Sequence, residues 1–211
     1  MATHIRTASP FVTGLVTAAL ATTALATAAA PAAAARPVPS APSAPPGRAE
    51  TTHLVFDKNR RDPSASRLRL VQSGTGRVLA EYRAGSGQGG AAGRDECARN
   101  QGWLPDGTYP VLSHTTRKKG GRDGINGYAI RIADKVCRDG RTQRTALFLH
   151  SEMRPDGTQA AAQPGRDNPY RWDGDVDYRS LGCVKLAPAD IKHLFAEARR
   201  YGRPTSLKVV K

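Results

Sequence analysis

Apolar and polar residues alternate along much of the chain after residue 51, which is the pattern of half-buried β-strands. Residues 67–72 (RLRLVQ) and 77–84 (RVLAEYRA) both alternate, and the turn sequence SGTG lies between them. These two runs predict a β-hairpin. Residues 52–58 (THLVFDK) predict a short strand before it.

Turn sequences and apolar runs predict further strands. A Pro-Asp-Gly turn leads into a strand within residues 104–113 (LPDGTYPVLS), and a short apolar run at 182–186 (GCVKL) predicts another. Residues 144–151 (RTALFLHS) are almost continuously apolar, which favours a central strand. The other predicted strands are residues 127–134 (GYAIRIAD) and 205–211 (TSLKVVK).

One helix stands out, and it begins at Pro188. Its apolar positions share one face, and Lys and Arg occupy the other. Residues 154–179 lack periodicity and predict a long loop, which in a compact domain is usually functional. The fold class is therefore mainly β with one main helix. The apolar helix positions are Ile191, Leu194, Phe195 and Ala198.

The first fifty residues have a different composition from the rest. His4 and Arg6 precede an uncharged stretch that starts at Phe11 and runs into Ala-x-Ala sites, so residues 1–30 predict a secretory signal peptide. Residues 31–50 are rich in Pro, Ala and Ser and predict a linker. We expect a secreted or wall-located protein with no stable membrane anchor and a folded domain at 51–211.

The charge balance is strongly basic, with a formal net charge of +14 and a pI near 10.3. A basic surface attracts anionic partners, and for an exported protein these include anionic wall polymers. The sequence has no recognition-helix, zinc-finger or aromatic-platform motif, so we expect no nucleic-acid partner. A solvated arginine-rich surface without a specific partner is an equally open interpretation.

Cysteine usage singles out one residue. The chain has three cysteines, and an odd number in a secreted protein leaves one unpaired. Cys97 lies in a polar loop and Cys137 lies just before a turn, and both positions suit a bridge. We predict a Cys97–Cys137 disulfide, which leaves Cys183 as the free thiol.

Cys183 lies in the run SLGCVKL, where it is either a buried structural thiol or a nucleophile. His150 ends an apolar strand, and the loop after it returns the chain to the cysteine. An imidazole can activate a thiol, so this order favours a nucleophile and its base. Gly182 permits unusual backbone angles, and N–H groups around Leu181, Gly182 and Cys183 are candidates for an oxyanion hole.

The other histidines are competing candidates for the base. His193 lies on the polar side of the predicted helix, and His114 follows a strand but has no companion motif. His53 lies near the start of the domain. The histidines show no ligand spacing, so we expect no metal and no cofactor.

The motifs resemble the catalytic domain of YkuD-type L,D-transpeptidases. The resemblance rests on His150-Ser151, a loop, and then Ser180-x-Gly182-Cys183-Val184-Lys185, and it extends to the opening hairpin and to WLPDGTYPV. Leu181 stands where that family usually has a second histidine, and Lys185 replaces its usual arginine. The separation of 33 residues from position 150 to position 183 is also longer than usual.

The resemblance implies a YkuD-like β-sandwich of mixed sheets with the main helix after the cysteine. It further implies an acyl transfer in which Cys183 attacks a peptidoglycan tetrapeptide stem and His150 acts as the base. Alternatives are an L,D-carboxypeptidase or hydrolase on the same scaffold, and a non-catalytic basic wall-binding protein. We expect a monomer.

Roles for the surrounding residues follow from the same resemblance. Ser180 would position the cysteine loop, unless it is an ordinary turn serine, and Ser151 would orient His150. Lys185 would pair with a substrate carboxylate or else face solvent. Tyr128 and Trp172 would line the groove for the acyl donor, although aromatic residues commonly serve as core.

Overall fold

The computed structural model describes residues 51–122 and 124–211, all of which belong to the compact unit Ala44–Lys211. The predicted signal peptide at 1–30 and the linker at 31–50 lie outside the described residues. Across the described part of the chain, no helix combines the length and the apolar character that crossing a membrane requires.

The described residues are mainly β, with one long helix, as the alternating pattern predicts. In chain order the strands are β1 (Thr52–Asp57), β2 (Ser66–Gln72), β3 (Val78–Ala84), β4 (Gly107–Lys118), β5 (Gly127–Ile132), β6 (Lys135–Val136), β7 (Gln143–Arg144), β8 (Phe148–His150), β9 (Val184–Lys185) and β10 (Pro204–Val210). The α-helices are α1 (Gly90–Gly93) and α2 (Pro188–Tyr201), and 3₁₀ turns lie at Pro63–Ala65 and Asp175–Tyr178.

Eight of these strands form one mixed sheet in the order β3-β2-β1-β10-β4-β5-β8-β9. The pairs β1–β10 and β8–β9 are parallel, and the others are antiparallel. Strand β4 joins the two halves, because its first residues pair with β10 and the remainder, beyond Pro110, pair with β5. A register shift follows Val111, where the strand passes from one half to the other. The predicted mixed-sheet fold is therefore confirmed.

The two edges of this sheet meet at one bridge. Gly85, which directly follows β3, pairs with Lys185 of β9 through N–H···O bonds of 3.0 and 2.8 Å. Gly85 packs so closely against Tyr178 that a Cβ atom would collide with the Tyr178 carbonyl. A glycine is therefore required where the sheet closes.

The core lies between the sheet and α2. The apolar face predicted for the helix is buried, and Pro188 is its first residue, where its missing N–H costs nothing. Gly202, at φ 99°, ends the helix and leads directly into β10. The buried helix residues are Ile191, Leu194, Phe195 and Ala198, packed with core side chains that include Leu54, Leu68, Ile130, Leu149 and Leu207.

Residues 144–151 depart from the predicted continuous strand. Arg144 ends the β6–β7 hairpin, and β8 starts only at Phe148. Between them Ala146 has φ 54°, which extended strands do not adopt, and its N–H donates to Asp134 Oδ1. The apolar composition of this run predicts burial correctly but does not reveal the break.

The disulfide pairing predicted from the cysteine count is present. Cys97 and Cys137 are bonded, and Cys183 is the free cysteine. The bond joins the loop after α1 to the β6–β7 hairpin. Residues 154–179 form a loop, as predicted, apart from the 3₁₀ turn Asp175–Tyr178.

Replacing both Cys97 and Cys137 with serine should lower the free energy of unfolding by about 3–4 kcal/mol, because the bond closes a loop of 40 residues. Urea denaturation followed by circular dichroism would measure the difference. Cys183→Ser is the control and should change stability by less than about 1 kcal/mol. A double variant as stable as the wild type would show that the bond does not constrain the unfolded chain.

Candidate active site

Strand pairing brings the predicted nucleophile and base to neighbouring strands. In the parallel pair β8–β9, His150 is the partner of Lys185, and Cys183 precedes Lys185 by two residues. Side chains alternate faces along a strand, so Cys183 and His150 project from the same face of the sheet. The thiol lies against the start of β8, where its Sγ is 3.7 Å from the Ala146 carbonyl oxygen.

Among the described residues, the hydrogen bonds of these two groups go to the backbone and not to each other. His150 Nδ1 lies 3.2 Å from the Ser151 carbonyl oxygen. If Nδ1 carries the proton and donates it there, Nε2 is the nitrogen with a free lone pair. Cys183 as a residue is partly exposed.

Both groups are electrically neutral near pH 7. Burial lowers the pKa of His150 to about 3, and the nearby Lys185 cation lowers it further. Burial also raises the pKa of the Cys183 thiol, although an N–H of Phe148 and the cations Lys185, Arg131 and Arg144 act in the opposite direction. A neutral thiol beside a neutral imidazole requires proton transfer during attack, because no thiolate is formed in advance.

Ser180 organises the cysteine loop. Its hydroxyl donates to the Cys183 carbonyl at 2.6 Å and accepts from the N–H groups of Gly182 at 3.1 Å and Gly87 at 3.2 Å. The side chain is buried. These contacts fit the predicted positioning role better than that of an ordinary surface turn serine.

The segment Gly85-Ser86-Gly87 holds the other side of this loop. Ser86 Oγ donates to the Gly182 carbonyl and accepts from the Leu104 N–H, and the Gly87 carbonyl accepts from the Ser180 N–H. This segment is not among the site residues predicted from the sequence. Its GSG pattern was the available signal, because glycine at φ 81° and a short hydroxyl suit close backbone docking.

The predicted oxyanion hole needs correction at Gly182. Its N–H already donates to Ser180 Oγ, so that donor is engaged inside the loop. Gly182 has φ 129°, and a Cβ atom there would collide with the guanidinium of Arg144. Gly182 is therefore required for loop shape, and this structure does not present its N–H to a ligand.

Arg144 is the residue near the thiol that the sequence did not single out. It is buried, and its guanidinium donates to the carbonyls of Glu96, Trp103, Gly102 and Leu181. These carbonyls belong to two loops, so one cation fastens the cysteine loop to the disulfide-bonded loop. Burial lowers the pKa of Arg144, and the charges of Tyr109, Cys183, Asp95 and Glu96 act in the opposite direction.

Lys185 is buried, which makes the solvent-facing alternative wrong. Its Nζ forms an ion pair with Glu152 Oε1 and lies 6.0 Å from the centre of the Trp172 ring. Burial raises the pKa of Glu152, and Lys185 opposes that change. The second Glu152 oxygen, Oε2, is buried without a hydrogen bond. Lys185 is thus placed to set the potential at His150.

The long loop covers this ion pair. Trp172 packs edge-on against Tyr178 with ring centres 4.8 Å apart, and the Trp172 backbone N–H donates to Gln159 Oε1. Asp167 and Asp177 offer carboxylate oxygens within 4.8 Å of that of Glu152. The loop therefore places the Trp172 ring near Lys185 and brings Asp167 and Asp177 close to Glu152.

Tyr128 does not join the site. On β5, Ala129 is the partner of His150, so Tyr128 points to the opposite face of the sheet. There its ring packs edge-on against Phe195 of α2 with centres 5.1 Å apart. The core interpretation of Tyr128 is the one the structure supports, and the groove-lining prediction is wrong.

The competing histidines also lie elsewhere. His114 is the partner of Ile130 and packs against Phe195 on the α2 face. His193 Nδ1 lies 2.9 Å from the Tyr82 hydroxyl, and His53 Nδ1 lies 3.1 Å from Ser73 Oγ. Of the four candidates for the base, all within the described residues, His150 is the one on the strand that pairs with β9.

Two further predicted positions have distinct environments. The Leu181 side chain is 59% exposed beside the thiol, so an apolar group faces solvent where the family has its second histidine. Ser151 is buried, and its hydroxyl has no hydrogen-bond partner among the described residues. Ser151 therefore affects His150 through its carbonyl, and the side chain makes no contact that would orient the imidazole.

Two groups of side chains have the spacing that a metal ion would need. One is Glu96 with Cys97 and Cys137, whose sulfurs are committed to the disulfide. The other is Glu152 with Asp167 and Asp177, where Lys185 already neutralises Glu152. Neither group presents a set of free ligands.

Comparison with known proteins gives limited information. No protein-family model and no curated protein matches the chain. Among solved structures, it is similar to Bd1075 of Bdellovibrio bacteriovorus at 15% identity and a TM-score of 0.44, over 76% of this chain and 48% of that one. It is also similar to the helical cell shape determining protein Pgp2 of Campylobacter jejuni at 12% identity and a TM-score of 0.42, over the same shares. The chain thus spans about half the length of each.

Proposed function

We propose that this protein is an exported cysteine acyltransferase that acts on the tetrapeptide stems of peptidoglycan. The observation that carries the proposal is the parallel register of β8 and β9, which puts a free, partly exposed thiol and His150 on one face. The resemblance of the cysteine motif to YkuD-type L,D-transpeptidases supplies the substrate class. The disulfide is compatible with an extracytoplasmic location.

The first half-reaction forms a thioester. Cys183 Sγ attacks the carbonyl of the penultimate residue of the stem while the thiol proton passes to His150 Nε2. The tetrahedral intermediate then collapses, the C–N bond breaks, and His150 returns the proton to the departing D-amino acid amine. The donor stem is left joined to Cys183 as an acyl-enzyme.

The second half-reaction consumes the thioester. An amine on a neighbouring stem loses its proton to His150 and attacks the acyl carbon, which forms a cross-link and frees the thiol. Water in place of the amine gives the carboxypeptidase reaction. The two outcomes share every step up to the thioester, so the acceptor distinguishes them.

The surrounding charges suit a transition state in which negative charge develops on sulfur. Lys185, Arg131 and Arg144 all lower the pKa of the thiol, which means that each stabilises the thiolate. Lys185 also disfavours the imidazolium form, so His150 holds its proton only briefly. A proton taken from the thiol is therefore readily passed on to the leaving amine.

Cys183→Ala should abolish acylation, because the variant lacks the sulfur that forms the thioester. Intact-protein mass spectrometry after incubation with a disaccharide-tetrapeptide, or with a carbapenem, would show an adduct on the wild type only. Peptide mapping should place it on Cys183, and adding an amine acceptor would separate transfer from hydrolysis.

His150→Gln and His114→Gln form the matched pair for the base. The first should slow acylation by about 100-fold or more, and the second should leave it nearly unchanged. A Cys183→Ala protein that still converts the tetrapeptide would overturn the proposal. A wild type that forms no adduct and alters no stem would favour the non-catalytic wall-binding alternative.

Alkylation of Cys183 by iodoacetamide should accelerate steadily with pH through the neutral range. Since burial raises the pKa of the thiol, the half-point should lie above the value of about 8.5 of a free thiol. His150 stays neutral down to about pH 3, so its titration should add no step near pH 6.5. The same measurement in urea should give an ordinary thiol curve. A plateau of high reactivity from pH 5 to 8 would instead indicate a thiolate–imidazolium pair.

Ser180→Ala should reduce the acylation rate by about 10- to 100-fold, because the cysteine loop loses three hydrogen bonds that fix its position. Ser73→Ala is the matched control, because this exposed hydroxyl is hydrogen-bonded to His53 in the described part of the chain, away from the cysteine loop. The affected step is measured by stopped-flow or quench-flow acylation. Equal rates for the two variants would mean that Ser180 has no positioning role.

A further inference from the structure

A basic pocket of about 290 Å³ is lined by six residues, and Ala146, whose carbonyl lies against the Cys183 thiol, is not among them. Arg60, Arg94, Arg138 and Lys211 supply its positive charges, and the wall also includes Trp103 and Glu96. The wall is therefore mostly cationic with one aromatic ring, a composition that the acyl-transfer proposal does not use.

Two of the four cations are available to a ligand. Arg60 and Arg94 form no ion pair within the described residues. Arg138 is held loosely, with its guanidinium 3.6 Å from Glu96 and 3.7 Å from Asp95. Lys211 pairs with Asp106 at 2.9 Å.

The charge of Glu96, the acidic residue in the wall, is partly neutralised by the buried Lys58. Glu96 is buried, and its Oε2 accepts from the Asp106 N–H and lies 3.8 Å from the buried Lys58 ammonium. Lys58 in turn lies 4.5 Å from the centre of the Trp103 ring. Glu96 therefore belongs to the support of the pocket, and its ion pair with Arg138 leaves Arg60 and Arg94 available to an anion.

The pocket is preorganised by the disulfide. Glu96 directly precedes Cys97, and Arg138 directly follows Cys137, so the bond fixes residues from both sides of the wall. Trp103 is held by its contact with Lys58, and its carbonyl accepts from Arg144. A wall held in this way loses little conformational entropy when a ligand binds.

We infer that this pocket binds a phosphodiester anion of a polyanionic chain. Guanidinium groups match the oxygens of phosphate in paired hydrogen bonds, and several converging arginines suit a group with more acceptor oxygens than a single carboxylate. Trp103 is buried and supports the wall from beneath, so the charged side chains are the groups that meet the ligand. The pocket anchors the protein on the polymer, and this inference does not depend on the chemistry of Cys183.

The test uses the full chain and a fluorescently labelled poly(glycerol phosphate) in about 0.1 M salt, where screening weakens diffuse attraction. The pair Arg60→Gln/Arg94→Gln removes the two unpaired cations of the pocket. The matched control, Arg117→Gln/Lys119→Gln, removes the same charge from exposed positions outside the pocket. Fluorescence anisotropy gives each dissociation constant, and inorganic phosphate is the competitor.

The pocket pair should weaken binding by about 10-fold or more, and the control pair by about twofold or less. Inorganic phosphate should displace the polymer from the wild type. Equal weakening by both pairs would overturn the inference in favour of diffuse charge attraction. The inference would also fail if the wild type does not bind the polymer, or if inorganic phosphate does not displace the bound polymer. The yield of acyl-Cys183 should be the same in all variants, so this result is separate from the test of acyl transfer.

Discussion

The bridge between Gly85 and Lys185 is the contact on which the site depends, because it closes the sheet at the strand that carries the thiol. Strand β9 has only two residues and one parallel neighbour, which would make it a weak edge by itself. Hydrogen bonds from Gly85, Ser86 and Gly87 hold it and the preceding loop from the other side. The position of Cys183 therefore results from the first hairpin and the last third of the chain acting together.

The buried charges follow from that closure. Lys185 is drawn into the interior with the strand, where an unpaired ammonium would be costly, and Glu152 compensates it. The same cation then acts on its neighbours: it adds to the lowering of the His150 pKa by burial, and it opposes the rise of the Cys183 pKa that burial causes. Lys185 is thus both a strand residue that closes the sheet and a charge that affects the pKa values of the two candidate catalytic groups. An arginine at this position would require more space and a second acceptor to satisfy its larger set of donors.

Sequence patterns predicted most of the strands, the apolar face of α2 and the disulfide, because period and cysteine count report directly on burial and pairing. They missed the break at Ala146, since a left-handed residue leaves no mark in hydropathy. Arg144 was missed for a related reason. Its hydrogen-bond partners are main-chain carbonyls, which every residue has. The identities of Gly102 and Leu181 therefore give no indication that an arginine binds them. Tyr128 was misplaced because a strand pattern does not say which face carries the site.

The exposed Leu181 shows how the motif can change while the loop keeps its shape. The loop conformation rests on Ser180, Gly182 and the Arg144 contact with the Leu181 carbonyl, none of which involves the side chain at position 181. That side chain is exposed to solvent, so the residue at position 181 can vary with the ligand without disturbing the loop. A histidine there would offer hydrogen bonds, whereas leucine offers an exposed apolar side chain. The replacement therefore bears on what approaches Cys183, and leaves untouched the contacts that hold Cys183 in place.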